Sequence, residues 1–146
     1  MELATEYAET SVGVRLLDCD HRQLTDAINE LQAAVLGNQD RTRNGELLRK
    51  LADFTLTHFA LEEGMMAATR YPGTARHRLH HQHMMEQLES VLNDCREGTV
   101  TLDGQSLSFL NDWHTDHIQE DDLKYGLWLN MHGVRSVSYT HLQPKN

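Results

Sequence analysis

Apolar residues recur at steps of three and four along four segments of the chain, which is the pattern of one buried face of an α-helix. Glycine or proline follows each of the first three segments, at Gly37, Pro72 and Gly98, and Asp103 is a suitable N-cap for the fourth. Gly126 weakens the prediction that the fourth helix continues to its end. The predicted helices cover about residues 18–36, 45–69, 74–97 and 103–130.

The connections between these helices are short, and short connections favour antiparallel neighbours. We therefore predict an all-α fold, an up-down-up-down antiparallel four-helix bundle with an N-terminal arm. Residues 1–17 form the predicted arm, in which Val12 and Leu17 can pack against the bundle. Residues 18–132 form the bundle, and residues 133–146 are a polar tail that we expect to be disordered or left over from an expression vector.

Composition and charge exclude several classes of partner. The formal net charge is −9, which argues against binding to nucleic acid or to an anionic membrane surface. No apolar run approaches the ~20 residues of a membrane-spanning helix, and the N-terminus does not resemble a secretory signal. Cys19 and Cys95 form no C-x-x-C motif, so we expect a reduced, cytoplasmic protein with two packing cysteines.

Ten histidines in an acidic chain raise the question of a metal. When the helices alternate in direction, polar residues on their inward faces all fall in one layer of the bundle. They lie early in the first and third helices and late in the second and fourth: His21, His58, Glu62, His77, His81 and His117, followed by Glu120, Asp121 and Asp122. Buried polar groups without partners would cost about 1–3 kcal/mol each, and metal ions would compensate for that cost.

The number of candidate ligands exceeds the four of an ordinary zinc site. Five histidines and two carboxylates suit two octahedral first-row metals, and imidazole binds iron, zinc, copper and nickel. Two six-coordinate metals that share a bridging oxygen need ten further ligand atoms. Five imidazoles and two bridging carboxylates supply nine of these, which leaves one position open for a small diatomic molecule.

Four motifs carry a resemblance to the hemerythrin family, in particular to bacterial hemerythrins and hemerythrin-like domains. They are DCDHRQL around His21, HFALEEGMM at 58–66, HRLHH at 77–81 and WHTDHIQEDD at 113–122. The resemblance covers about residues 7–128. The combined order of these motifs is specific, whereas each motif alone is not.

The resemblance implies two iron ions (Fe2+/Fe3+) joined by a bridging oxo or hydroxo group. It implies that one iron is held by three histidines and the other, which keeps the open position, by two, with two carboxylates bridging both. These residues are His77, His81 and His117 for the first iron, His21 and His58 for the second, and Glu62 and Asp122 for the bridges. The resemblance also implies that O2 binds reversibly as a hydroperoxide that receives a proton from the bridge.

Some assignments stay open between neighbours. Helical geometry favours Asp121, four residues after His117, as the second bridge, whereas the resemblance implies Asp122, and Glu120 is a further alternative. Phe59, Trp113 and above all Ile118 are candidates to line an O2 pocket, although each also fits an ordinary core. We expect the remaining polar residues of the motifs to lie outside the ligand set. His80 and His83 are expected at the solvated rim, Glu63 at the surface, and His114 either facing outward or at the edge of the ligand cluster.

The leading hypothesis for function is an O2-binding protein for storage, delivery or sensing, and not an enzyme. A di-iron enzyme that acts on peroxide or nitric oxide is the alternative, but oxygen-activating bundles are typically richer in Glu and carry E-x-x-H pairs. A sensor domain of a longer signalling protein and a structural zinc or manganese bundle are further alternatives.

Overall fold

The structure is a computed structural model that describes residues 11–37, 40–97 and 102–134. Helices α1 to α3 span Arg15–Leu36, Arg41–Thr69 and Thr74–Glu97. Helix α4, Gly104–His117, leads through a five-residue π-helical segment, Ile118–Asp122, into α5, Leu123–Met131. These last three elements together form the fourth long helix of the bundle, and the described residues contain no strand. The predicted all-α four-helix bundle is confirmed.

The helix boundaries differ from the prediction mainly at N-termini. Helix α1 begins at Arg15, so the last three residues assigned to the arm are helical. Helix α2 begins directly after Asp40, whose side chain caps it by accepting a hydrogen bond from the Arg43 N–H at 2.7 Å. Asp103 caps α4 as predicted, and the helix continues past Gly126. Residues 1–10 and most of the predicted tail lie outside the described residues.

Two apolar clusters lie on either side of the layer of inward polar residues. The larger cluster, which includes Ile28 and Leu51, fills the end of the bundle where α1 ends and α2 begins. The smaller cluster packs Val12 and Leu17 against Met65 and residues of the π segment and α5. None of the helices within the described ranges is long and apolar enough to cross a membrane. The polar layer is thus enclosed by apolar packing above and below.

Gly126 allows the chain before α1 to pack directly on α5. A Cβ atom at this position would lie 2.1 Å from the carbonyl oxygen of Val12, so a side chain there would displace the backbone. We expect Gly126→Ala to lower the free energy of unfolding by roughly 1–3 kcal/mol, even though alanine favours a helix. Gly64→Ala is the matched control, because nothing lies within 4 Å of the added Cβ. Chemical denaturation of both variants tests this, and equal stability would contradict it.

Candidate metal centre

The structure brings all seven predicted ligands together in the polar layer, and all are buried. They form two groups that share Glu62 and Asp122, and within each group one nitrogen or oxygen atom per residue lies within 4.8 Å of the others. The larger group adds three histidines to the shared carboxylates and the smaller adds two: His77, His81 and His117 in the first, and His21 and His58 in the second.

The two oxygens of Asp122 face different groups of histidines. Oδ1 lies 2.9 Å from Nε2 of His77 and 3.1 Å from Nε2 of His117. Oδ2 lies 3.0 Å from Nε2 of His21. A carboxylate in this orientation can give one oxygen to each of two cations.

Glu62 has the same orientation between the two groups. Its Oε1 lies 2.6 Å from Nε2 of His77 and 3.4 Å from Nε2 of His81. Its Oε2 lies 3.3 Å from Nε2 of His58 and 3.9 Å from Nε2 of His21. Both shared carboxylates therefore lie between a three-histidine group and a two-histidine group.

The π-helical segment explains why Asp122, five residues after His117, reaches the layer. A π-helix forms hydrogen bonds between residues five apart, so the two side chains lie on the same side of the turn. The expectation that favoured Asp121 assumed an α-helix at this point. Asp121 lies outside the layer instead, with Oδ2 3.3 Å from Nδ1 of His117 and in contact with Nδ1 of His80.

Three carboxylates outside the layer accept hydrogen bonds from the outer ring nitrogens of predicted ligands. Asp20 accepts from His58 Nδ1 at 3.0 Å, Glu63 from His81 Nδ1 at 3.2 Å, and Asp121 from His117 Nδ1 at 3.3 Å. Such bonds fix the ring orientation and the tautomer, so that Nε2 is left to bind a metal. The expectation that Glu63 is only a surface charge is wrong. Each of these acids is next in sequence to a predicted ligand, and that adjacency was the one available clue.

Most inward atoms of the layer lack hydrogen-bond partners among the described residues, whereas Nε2 of His81 and Nε2 of His117 lie 3.1 Å apart, within hydrogen-bond distance. Both oxygens of Glu62 and of Asp122 are buried without one, as are Nε2 of His21, His58 and His77, although these atoms approach one another closely. Buried polar atoms without hydrogen bonds are rare in native structures. Imidazole nitrogens and carboxylate oxygens form a donor set that suits iron, so the residues fit the metal that the motifs imply.

Protons can take the place of cations in the metal-free layer. Burial lowers the pKa of His58, His77 and His117, but close contacts with carboxylates, whose negative charge favours the protonated ring, outweigh burial. They raise the pKa of His58 and His77 to about 10 and that of His117 to about 9. Burial likewise raises the pKa of Glu62 and Asp122, but the histidines hold both values well below their usual range. The layer therefore holds negative carboxylates beside sites for positive charge.

A small cavity of about 10 Å³ lies beside the layer, close to the smallest volume that admits a water molecule. The predicted pocket residues Phe59, Trp113 and Ile118 all line it. His114 also lines the cavity and is buried, so it lies at the edge of the ligand cluster, one of the two expected positions, and does not face outward. Its Nε2 lies 3.0 Å from the Thr25 hydroxyl, and burial lowers its pKa to about 3. His83 is exposed, as expected.

The sequence and the structure are both similar to known proteins. A family model described as the hemerythrin HHE cation binding domain matches residues 12–129. Bacteriohemerythrin of Stenotrophomonas maltophilia is 27% identical over 132 residues, which is 90% of this chain and 85% of that protein. Myohemerythrin-1 of Phascolopsis gouldii is 29% identical over 109 residues, or 75% of this chain and 80% of that protein. A crystal structure of wild-type hemerythrin has a TM-score of 0.78 at 26% identity and covers 87% of this chain and 97% of that one.

Proposed function

This chain belongs to the hemerythrin family, and we propose that it holds two iron ions and binds O2 reversibly beside them. The observation that carries the proposal is the orientation of the two shared carboxylates. Glu62 and Asp122 each present one oxygen to a group of three histidines and the other oxygen to a group of two. Two cations, rather than one, match this arrangement.

The two groups supply unequal numbers of ligands. We propose that His77, His81 and His117 bind one iron, that His21 and His58 bind the other, and that both carboxylates bridge. The second iron would then keep one more open position than the first. When bound, the irons would supply the electrons and the open coordination position that O2 needs.

The ligand set supports a binding protein rather than an enzyme. The proposed ligands include no E-x-x-H pair, and the site has two carboxylates against five histidines, unlike the glutamate-rich sites of di-iron carboxylate bundles. The similar proteins are named hemerythrin, myohemerythrin and bacteriohemerythrin. We propose storage, delivery or sensing of O2 as the role. Free Cys19 and Cys95 support placement in the cytoplasm.

Metal analysis and visible spectra under argon and then air test the proposal. We expect two irons per chain, no colour in the reduced protein and a colour that appears with O2 and disappears when O2 is removed. Irreversible oxidation on aeration would favour the alternative of an enzyme acting on peroxide or nitric oxide. One iron or none per chain would contradict the seven-ligand assignment.

A further inference from the structure

One polar pair outside the proposed ligand set lies beside the small cavity at the metal centre, and one of its two members lines that cavity. His114 of α4 lines the cavity, and its Nε2 lies 3.0 Å from the hydroxyl of Thr25 on α1. Both side chains are buried. Leucine or valine would fill these positions without needing a partner, so a buried hydrogen-bonded pair here calls for an explanation.

The two side chains together carry two hydrogens that can be donated, and the hydrogen bond between them uses only one. Burial keeps His114 neutral, so its ring carries one N–H, and Thr25 carries one O–H. If Thr25 donates to Nε2, the ring N–H remains at Nδ1; if the ring donates from Nε2, the hydroxyl hydrogen remains. Within the described chain, neither side chain makes a second hydrogen bond. With Thr25 as the donor, the ring N–H of His114, which lines the cavity, is left for another acceptor.

A second unpaired donor belongs to the same wall. Trp113 lines the cavity, and its indole Nε1 is buried with no hydrogen-bond partner among the described residues. An unpaired buried N–H group is unfavourable, and a small acceptor in the cavity would relieve it. Two independent observations thus indicate that the cavity accepts a polar ligand rather than staying empty.

The position of the cavity connects it to the proposed open coordination site. His21 and His58, the proposed ligands of the iron with that site, both line the cavity, whereas only His117 of the three proposed ligands of the other iron does. A small molecule in the cavity therefore lies on the side of the centre where a ligand would enter.

We propose that His114, oriented by its hydrogen bond to Thr25, and the Trp113 indole N–H form a polar wall that donates hydrogen bonds to a small, negatively polarised ligand in this cavity and slows its release. The proposal rests on the proposed function, because the ligand is the one that the iron centre would bind. Beyond the proposed function, the polar wall identifies the residues that determine how long the ligand remains bound. Leu24 and Ile118, which also line the cavity, cannot take this role because their side chains have no donors.

Azide is a suitable probe, since it is a small linear anion and needs only the oxidised iron-loaded protein. We expect His114→Leu to speed azide release by roughly 10-fold to 100-fold, the range for loss of a hydrogen bond to a charged acceptor. His114→Gln, whose amide keeps an N–H donor, should recover most of the slow release. His83→Leu makes the same change at an exposed histidine and should behave as wild type.

The pair can also be observed without iron. In the metal-free protein, nitrogen-15 spectra of the imidazole groups should show His114 neutral from pH 5 to 8, with ring shifts that change in Thr25→Val. A positively charged His114 at pH 6 would overturn the hydrogen count on which the polar wall depends.

The outcomes separate the two proposals. A wild-type chain that binds no iron would overturn the proposed function. An iron-loaded wild type that releases azide no more slowly than His114→Leu would overturn the polar wall alone. If His114→Leu and Thr25→Val lower only the melting temperature, the pair is a structural link between α1 and α4.

Discussion

Asp122→Asn is expected to reduce the metal content of the purified protein from the proposed two ions per chain to one or none. The asparagine side chain offers one oxygen, and its NH2 group cannot bind a cation. In the structure Oδ1 of Asp122 faces His77 and His117 while Oδ2 faces His21, so the substitution removes a ligand atom from one of the two groups. It also removes a negative charge that offsets the charge of the metals. We expect affinity for at least one ion to fall by more than about 100-fold.

Asp121→Asn is the matched control, because it makes the same chemical change one residue earlier. Asp121 lies outside the layer and accepts a hydrogen bond from His117 Nδ1. Loss of such a contact typically weakens metal binding about 10-fold to 100-fold, so both ions should remain at saturating iron. Elemental analysis and competition with a chelator measure the two effects. If Asp121→Asn loses the metals and Asp122→Asn keeps them, the bridge belongs to Asp121.

The layer of proposed ligands could be predicted from the sequence because it depends on helix periodicity and on the alternation of helix directions. His58 and Glu62, and likewise His77 and His81, are four residues apart and therefore share a helix face. Alternating helix directions then bring early residues of one helix level with late residues of the next. The structure brings these residues together in one layer.

The choice between neighbouring acids at the end of α4 could not be made from helix geometry. The prediction of Asp122 came from family spacing, and the physical reason for that spacing is the π-helical segment Ile118–Asp122. Such a segment extends an α-helix by one residue without any local change in hydrophobic pattern. A period of 3.6 residues applied through it therefore points to Asp121.

Contacts between distant parts of the chain could not be predicted from the sequence either. Asp20 and His58 are 38 residues apart, and His114 meets Thr25 across 89 residues. Periodicity places such residues on a flank of their helix, but the partner depends on how the helices rotate against one another. Gly126 is a similar case. The sequence alone marks it as a residue that weakens a helix, whereas the structure shows Val12 packed against it.

A second large effect is expected on the stability of the metal-free protein as pH rises. Without metal, the carboxylates of the layer raise the pKa of His58 and His77 to about 10 and that of His117 to about 9, against the opposing effect of burial. The unfolded chain loses these protons near pH 6.5. Between pH 6.5 and 9 the folded state thus binds more protons than the unfolded state, and stability falls as pH rises.

The size of this effect follows from the number of protons involved. One extra proton in the folded state changes the free energy of unfolding by about 1.4 kcal/mol per pH unit. We therefore expect the metal-free protein to lose at least about 3 kcal/mol between pH 6.5 and 9. The pKa of Tyr125 is raised to about 12, largely by burial, so Tyr125 does not titrate in this range. Burial also raises the pKa of Cys95, and a Cys95→Ser background removes that contribution.

The metal-loaded protein should not show this loss, because a metal-bound imidazole is neutral and carries no such proton to lose. Chemical denaturation at pH 6.5 and pH 9, with chelator or with zinc as a redox-inert ion, measures both forms. The two stability curves should diverge as pH rises, with the metal-free form falling. If the stability of the metal-free protein is constant or rises over this range, protons do not replace cations in the layer. The negative charge of the buried carboxylates would then have to be balanced in another way.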